Sequence, residues 1–483
     1  MIQLPEAFKE KMKRLLGPEY DEFLESYEKE RVQGLRCNPL KTDKDEWPAM
    51  MPFHLEKVSW AEEGWYYDKA DRPGKHPYHE AGLYYIQEPS AMAVAELLDV
   101  KPGDNVLDLC AAPGGKTTQI AGRLKGEGFL LSNEIHPARA KILSQNVERL
   151  GIKNAVVTNE DSTTLASRFP LFFDKIVVDA PCSGEGMFRK DETAVKEWSP
   201  DHVQMCAARQ IAILDDASRM LKPGGRMVYS TCTFSPEEDE QVIEAFLDDH
   251  PEFSIENVGK REGLSQGRPE WSQTGREDIG ETFRIWPHLT EGEGHYMAVL
   301  KKEEGLCDGK KRVYPQYLKD RNVFQAFESF CRENLAHPES CLERKEYLLF
   351  GDQLYLLPPQ MTDLKGLKVV RPGLHMGTIK KNRFEPSHAL ALALKKEEVL
   401  RSYDMDAEGE EVIRYLKGET LPVSGAESPS ATILSASNPS ASNTFAPGEK
   451  GWVLMCVSGK SLGFSKLAGG ILKNHYPKGL RWM

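Results

Sequence analysis

Two short segments end in a cysteine that could act as a nucleophile: Asp179-Ala180-Pro181-Cys182 and Ser230-Thr231-Cys232. A thiolate adds to electron-poor carbon and can leave again, so a thiol presented at a cleft suits covalent catalysis. Residue type alone does not establish this, because a cysteine at a strand end is usually a small core residue. The nine cysteines, at 37, 110, 182, 206, 232, 307, 331, 341 and 456, are odd in number and include no C-x-x-C pair. That pattern speaks against a zinc ribbon, any other metal site of that kind and a disulfide framework. Cys206 falls in an apolar helical pattern and is assigned to the core.

The elements that must position these groups run from about residue 76 to 302, where short apolar runs alternate with helical patterns. Strands are expected at 105–109, 128–133, 155–159, 175–179 and 226–230, with helices between them at, for example, 137–150 and 200–221. Such alternation implies an α/β fold with a mainly parallel sheet and crossover helices. Two closely spaced strands, 283–286 and 296–300, are expected to add an antiparallel edge pair.

In a doubly wound sheet, ligands bind outside the carboxyl ends of the strands. Suitable groups stand at each of those ends. The first strand runs into Cys110-Ala111-Ala112-Pro113-Gly114-Gly115-Lys116-Thr117, whose small residues let a ligand approach a helix N-terminus. The second ends at Glu134, about 20 residues beyond the glycines, the offset at which a carboxylate holds ribose hydroxyls. The third ends at Asp161, which could accept from an adenine amino group or merely cap a helix. Asp179 and Cys182 follow the fourth strand, and Cys232 the fifth. Gly115-Lys116-Thr117 also matches the end of a phosphate-binding loop, but that motif's first glycine would fall on Cys110.

Hydrophobic residues make up 40% and charged residues 28% of 483, the balance of a soluble globular chain. Glu6, Lys9, Glu10 and Lys11 stand where a secretory signal needs an apolar run, and no stretch approaches the roughly 18 apolar residues of a membrane span. A cytoplasmic location with no membrane partner is expected. The net charge of −12 argues against a protein that coats nucleic acid nonspecifically, yet charge is unevenly placed. Arg371, Lys380, Lys381, Arg383, Lys395 and Lys396 cluster against Glu385 alone, and residues 460–483 contain no acid. Residues 422–448 are rich in Ser, Pro and Ala with Glu427 as the one charge, the composition of a flexible insertion.

Several blocks resemble the signature segments of the Nop/Sun-type RNA cytosine-C5 methyltransferases: YYIQEPSAM (84–92), LDLCAAPGGKT (107–117), DAPCSGEG (179–186), LKPGGRMVYS (221–230) and STCTFSPEEDE (230–240). LGFSK followed by GGILKNHYPKGLR resembles the last block of the bacterial RsmF-type branch, which acts on 16S ribosomal RNA. The resemblance implies a Rossmann-like class I methyltransferase fold at 76–302. It further implies an N-terminal RNA-recognition module at 1–75 and a PUA-like α/β RNA-binding region at 303–483 that carries the 422–448 insertion. It places S-adenosyl-L-methionine on Cys110, Ala111, Ala112, Pro113, Gly114, Gly115, Lys116, Glu134, Asp161 and Asp179. It makes Cys232 the thiol that attacks cytosine C6 and Cys182 the group needed for product release, with Asp179 beside the base. The implied partner is RNA, in the first place 16S rRNA or the small ribosomal subunit. Lys466, Lys473, Lys478 and Arg481 are phosphate-contact candidates. An inactive ribosome-assembly protein is the competing class, and loss of a cysteine or of the Gly114-Gly115 turn would be its sign; all are intact. A DNA methyltransferase would use the Pro-Cys cysteine, so the second cysteine on the next strand favours RNA.

Overall fold

The computed structural model describes residues 3–306, 315–319, 321–381, 383–423 and 443–483; Cys307 and most of the Ser/Pro/Ala-rich stretch, 424–442, lie outside the described residues. Two amphipathic helices, Glu6–Leu16 and Tyr20–Ser26, come first. Their apolar faces bury Phe8, Met12, Leu16 and Phe23 against Phe188, Trp198, Phe234 and Trp286. The N-terminal helices are thereby seated on the loops that follow Cys182 and Cys232.

The turn-rich stretch after these helices differs from its reading, because it holds strands. β1 (Gln33–Cys37), β2 (Leu55–Lys57), β3 (Gly64–Tyr67) and β4 (Tyr84–Ile86) form an antiparallel sheet in the order β2-β3-β1-β4. Strands this short, separated by turn residues, carry too little period-two pattern to be seen in sequence.

The central sheet follows the expected alternation. β5 (Asn105–Asp108), β6 (Phe129–Asn133), β7 (Ala155–Thr158), β8 (Phe173–Asp179) and β9 (Leu221–Thr231) are parallel, in the order β9-β8-β5-β6-β7. Chain order reverses between β5 and β8, which makes that crevice the ligand-binding switch point. β10 (Phe253–Ile255), β11 (Ser265–Gln266), β12 (Phe283–Ile285) and β13 (His295–Lys302) continue the sheet antiparallel beyond β9, with the expected pair as β12 and β13. Successive strand residues face opposite ways. Leu107, Leu131, Val156, Ile176 and Val178 pack under the helix Pro200–Met220, whereas Val106, Leu130, Val157, Val177 and Val228 pack under Pro89–Leu98 and Gly115–Leu124.

Beyond residue 302 two smaller sheets follow. β14 (Tyr347–Phe350), β15 (Gln353–Leu356), β17 (Leu374–Lys380) and β18 (Arg383–Pro386) make one, while β16 (Val369–Arg371) leaves it to pair antiparallel with β7. β19 (Ser402–Met405), β20 (Leu421–Pro422), β21 (Gly451–Val457), β22 (Lys460–Ala468) and β23 (Ile471–Asn474) make the other. This last sheet shares a core with the N-terminal one, where Leu35, Trp47 and Tyr84 meet Tyr403, Met405 and Val453. The region read as separate is therefore tied back to both earlier parts of the chain. No helix among the described residues is long and apolar enough to cross a membrane.

Candidate active site

The parallel pairing of β8 with β9 sets Asp179 beside Ser230, so the chain leaves both strands at one level. Three residues past Asp179 and two past Ser230, the sulfurs of Cys182 and Cys232 stand 3.4 Å apart, both partly exposed. The two loops are stitched together. Gly186 N donates to Cys232 O at 2.8 Å, and the Ser183 and Thr233 hydroxyls share a hydrogen at 2.9 Å. The Glu185 carboxylate accepts from Phe234 N, Ser235 Oγ and Trp198 Nε1 at 2.6–2.9 Å. Gly186 has no room for a side chain: a Cβ there would lie 3.0 Å from the carbonyl oxygens of both Cys232 and Gly294. These contacts account for Glu185 and Gly186 in the segment after Cys182.

Lys116 Nζ donates to Asp179 Oδ2 at 2.7 Å, and Ser230 Oγ donates to Oδ1 at 2.8 Å. Burial by itself would raise the Asp179 carboxyl, but Lys116, His295 and the two hydrogen bonds outweigh it and hold the group below its ordinary value. Lys116 is held above its ordinary value despite burial, chiefly by Asp179. The Cys182 thiol is pushed well up by its hydrogen bond to Cys232, by burial and by the Cys232 charge. The Cys182 thiol thus holds its proton more firmly than an ordinary cysteine.

The segment Cys110–Lys116 wraps the carboxyl end of β5. Ala111 N donates to Asn133 O at 2.8 Å, and the Ala112-Pro113 peptide is cis. Gly114 has φ 117°, a left-handed value that favours glycine, and it opens the helix Gly115–Leu124. A Cβ on Gly115 would lie 3.0 Å from Gln87 Nε2. Glu134 is buried; its Oε1 accepts from His136 N at 2.9 Å, and Oε2 lies 3.5 Å from Arg139. Asp161 does cap the helix Ser162–Arg168, accepting from Thr164 N and Oγ1 at 2.8 and 2.9 Å. Each of its oxygens retains a second lone pair. Cys110 packs partly into the core, and burial with the neighbouring Asp179 and Asp108 pushes its thiol up.

Four residues escaped the sequence reading. Asp108, on β5, accepts from Thr117 Oγ1 at 2.6 Å, while its Oδ1 is buried with no hydrogen-bond partner among the described residues. Burial pushes that carboxyl up to about 7. Arg36, fully buried on β1, donates to Gln87, Gly115 O and Thr118 and so holds the glycine turn from behind. Glu238 accepts from Ser183 N and Gln210 Nε2 and is buried. His295 opens β13 near Lys116 and Asp179, with its Nδ1 2.9 Å from Ser90 Oγ. Asp108 lay at a strand end inside LDLCAAPGGKT and Glu238 inside STCTFSPEEDE, while the partners that give Arg36, Glu238 and His295 their places leave no local signal.

The basic residues separate on inspection. Arg371 is buried against Glu148 and Ser144, and Arg481 packs on Gly418 and donates to Tyr476 O. Lys380, Arg383 and Lys466, with Trp452 and His475, line an open groove of about 1000 Å³. Lys466 and Lys473 face each other across β22 and β23, both exposed.

Four family descriptions match consecutive stretches of the chain. "16S rRNA methyltransferase RsmB/F" covers residues 95–301, and the N-terminal domain of 16S rRNA methyltransferase RsmF covers 4–89. The RsmF first C-terminal domain covers 329–394 and the RsmF PUA domain 402–482, so the region past 302 divides in two, as its two sheets do. Ribosomal RNA small subunit methyltransferase F from Erwinia tasmaniensis is 30% identical over 99% of this chain and 97% of its own length. The protein of that name from Vibrio vulnificus is 32% identical over 84% of this chain and 88% of its own. A crystal structure of a methyltransferase homolog from Pyrococcus horikoshii superposes with a TM-score of 0.55 at 29% identity, covering 62% of this chain and 96% of that one. NSun6 from the same organism, solved with SFG, shares the fold at a TM-score of 0.53 and 21% identity. The central sheet, its cysteine-bearing strand ends and these matches along nearly the whole chain lead to one assignment: the chain belongs to the family of ribosomal RNA small subunit methyltransferase F, within the RsmB/F 16S rRNA methyltransferases.

Proposed function

We propose that the protein transfers a methyl group from S-adenosyl-L-methionine to C5 of a cytosine in 16S rRNA through a covalent adduct with Cys232. The observation that carries this reading is the pair of sulfurs 3.4 Å apart, on adjacent strand ends beside a charged Lys116–Asp179 pair. Cytosine C5 is a poor nucleophile. A thiolate bonded to C6 turns the ring into an enamine whose C5 can attack an electrophile.

The residues present fit the cofactor. Cys110 through Lys116 supply a small-residue cradle, Glu134 a buried carboxylate for ribose hydroxyls, and Asp161 spare lone pairs for an amino group. The unpartnered Oδ1 of Asp108 is a further buried acceptor at the same strand ends. When bound, the cofactor supplies an electrophilic methyl group. The chain's own groups do the rest. Asp179, kept ionised, accepts from the cytosine amino group and so orients the base, and Lys116 fixes the carboxylate. The Cys182 sulfur, 3.4 Å from that of Cys232, is within reach to hydrogen-bond the Cys232 sulfur when it leaves C6 on release. Lys380, Arg383 and Lys466 offer an RNA backbone a cationic groove away from the reacting base.

Bisulfite mapping of 16S rRNA from cells with and without the gene tests the reading. A cytosine protected only when the gene is present, and restored by incubating the deficient small subunit with protein and S-adenosylmethionine, is expected. An unchanged map would contradict it.

A further inference from the structure

His295 lies in the cleft without a role in the reaction as described. Pairing of β13 with β9 runs from Lys301 opposite Arg226 to Tyr296 opposite Thr231, so His295 and Cys232 are the residues that come next beyond the paired register. His295 is 6% exposed, and its Nε2 has no hydrogen-bond partner among the described residues. Its Nδ1 lies 2.9 Å from Ser90 Oγ, and Ser90 Oγ donates to Glu88 Oε2. The Glu88 carboxylate also accepts from the backbone N–H groups of Ser90, Ala91 and Glu293, so it acts only as an acceptor. Ser90 has one hydroxyl proton, and it goes to Glu88. Ser90 Oγ must therefore accept from Nδ1–H, which leaves Nε2 as the bare nitrogen of the imidazole.

From these contacts we infer that His295 Nε2 is the base that takes the C5 proton after methyl transfer. The inference rests on the covalent reading above. In that step the C5–H bond breaks and its proton goes to Nε2. Its electron pair forms the C5–C6 double bond, the C6–Sγ bond breaks, and the electrons return to the Cys232 thiolate. Cys182 donates to that departing thiolate, and the proton on His295 passes to solvent. Cys182 keeps its proton throughout and steadies the leaving sulfur by a hydrogen bond, while the imidazole serves as the base. The charged groups around the ring are Lys116, Asp179 and Glu88. Burial lowers the imidazole from its ordinary value and Lys116 lowers it further, against Asp179 and Glu88, so the ring is neutral near pH 7.

The test uses RNA that carries the mapped cytosine tritiated at C5, and it follows tritium release, methyl transfer and the covalent band together. His295→Ala is expected to retain a first burst of methyl transfer, to accumulate the adduct, and to release tritium about 100-fold more slowly, with partial rescue by imidazole. Ser90→Ala, which removes the Nδ1 anchor, is expected to slow tritium release about tenfold with the burst intact. In the unaltered enzyme, tritium release should fall as pH drops below the ordinary histidine value while the burst persists. Thermal stabilisation by S-adenosylmethionine checks that each variant is folded. If Cys182→Ala traps an adduct while His295→Ala releases tritium at the unaltered rate, the His295 assignment alone is wrong. Loss of the burst without an adduct in His295→Ala would likewise overturn it, since the imidazole would then be holding the base instead. If Cys182→Ala traps nothing, the covalent reading fails and this inference with it.

Discussion

Arg36 Nη2 donates to the carbonyl oxygen of Gly115 at 2.9 Å, joining residues 79 apart in sequence. The same guanidinium donates to Thr118 Oγ1 at 2.7 Å and to Gln87 Oε1 at 3.0 Å, and it is 2% exposed. The N-terminal sheet thus braces the Gly114-Gly115 turn, which is proposed above to cradle the cofactor. Arg36→Met removes three hydrogen bonds and leaves buried acceptors unpaired. A loss of about 2–4 kcal/mol in urea unfolding is expected. Weaker S-adenosylmethionine binding by titration calorimetry should accompany it. Unchanged cofactor affinity would show that the contact only joins two domains.

Glu238 is buried with Oε1 unpartnered, and burial pushes its carboxyl up to about 7 from 4.5. An acid with a raised pKa contributes stability that is present at low pH and is lost as pH rises through the folded-state value. Glu238→Gln cannot ionise, so its stability relative to the unaltered protein should improve from about pH 5 to about pH 8. The gain should be about 3 kcal/mol by urea unfolding. A difference that stays flat with pH would contradict this.

Lys466 Nζ sits 5.5 Å from the Trp452 ring, with Lys473 directly across on the neighbouring strand. Replacing both lysines with Ala should lower the slope of log affinity against log salt for 16S rRNA by about 1–2. The turnover rate on saturating RNA should be unchanged. A slope equal to that of the unaltered protein would place the RNA elsewhere.

What was legible in sequence divides by range. The five parallel strands and the groups at their ends could be read because buried strands leave apolar runs and a ligand crevice takes its residues from the turns after them. The pairing of β12 with β13 could be read because the two lie close together in the chain. β1 to β3 could not, since strands this short leave no periodicity, and neither could β16, which crosses back to β7 from far away. Arg36, Glu238 and His295 were hidden for a related reason. Each takes its meaning from a partner distant in sequence: Gly115, Ser183 and Ser90 respectively. The helix cap at Asp161 was foreseen because capping is local. The sulfur–sulfur approach was not, because only the β8–β9 register brings those loops together.

The division of labour between the two cysteines is tested most directly on a denaturing gel. On the proposed mechanism, in which Cys232 attacks and Cys182 is needed for release, Cys182→Ala incubated with S-adenosylmethionine and 16S rRNA should give a slow-migrating band of protein joined to methylated RNA. Cys182→Ala combined with Cys232→Ala should give no such band. A band that persists in the double variant would contradict the assignment of Cys232 as the attacking thiol.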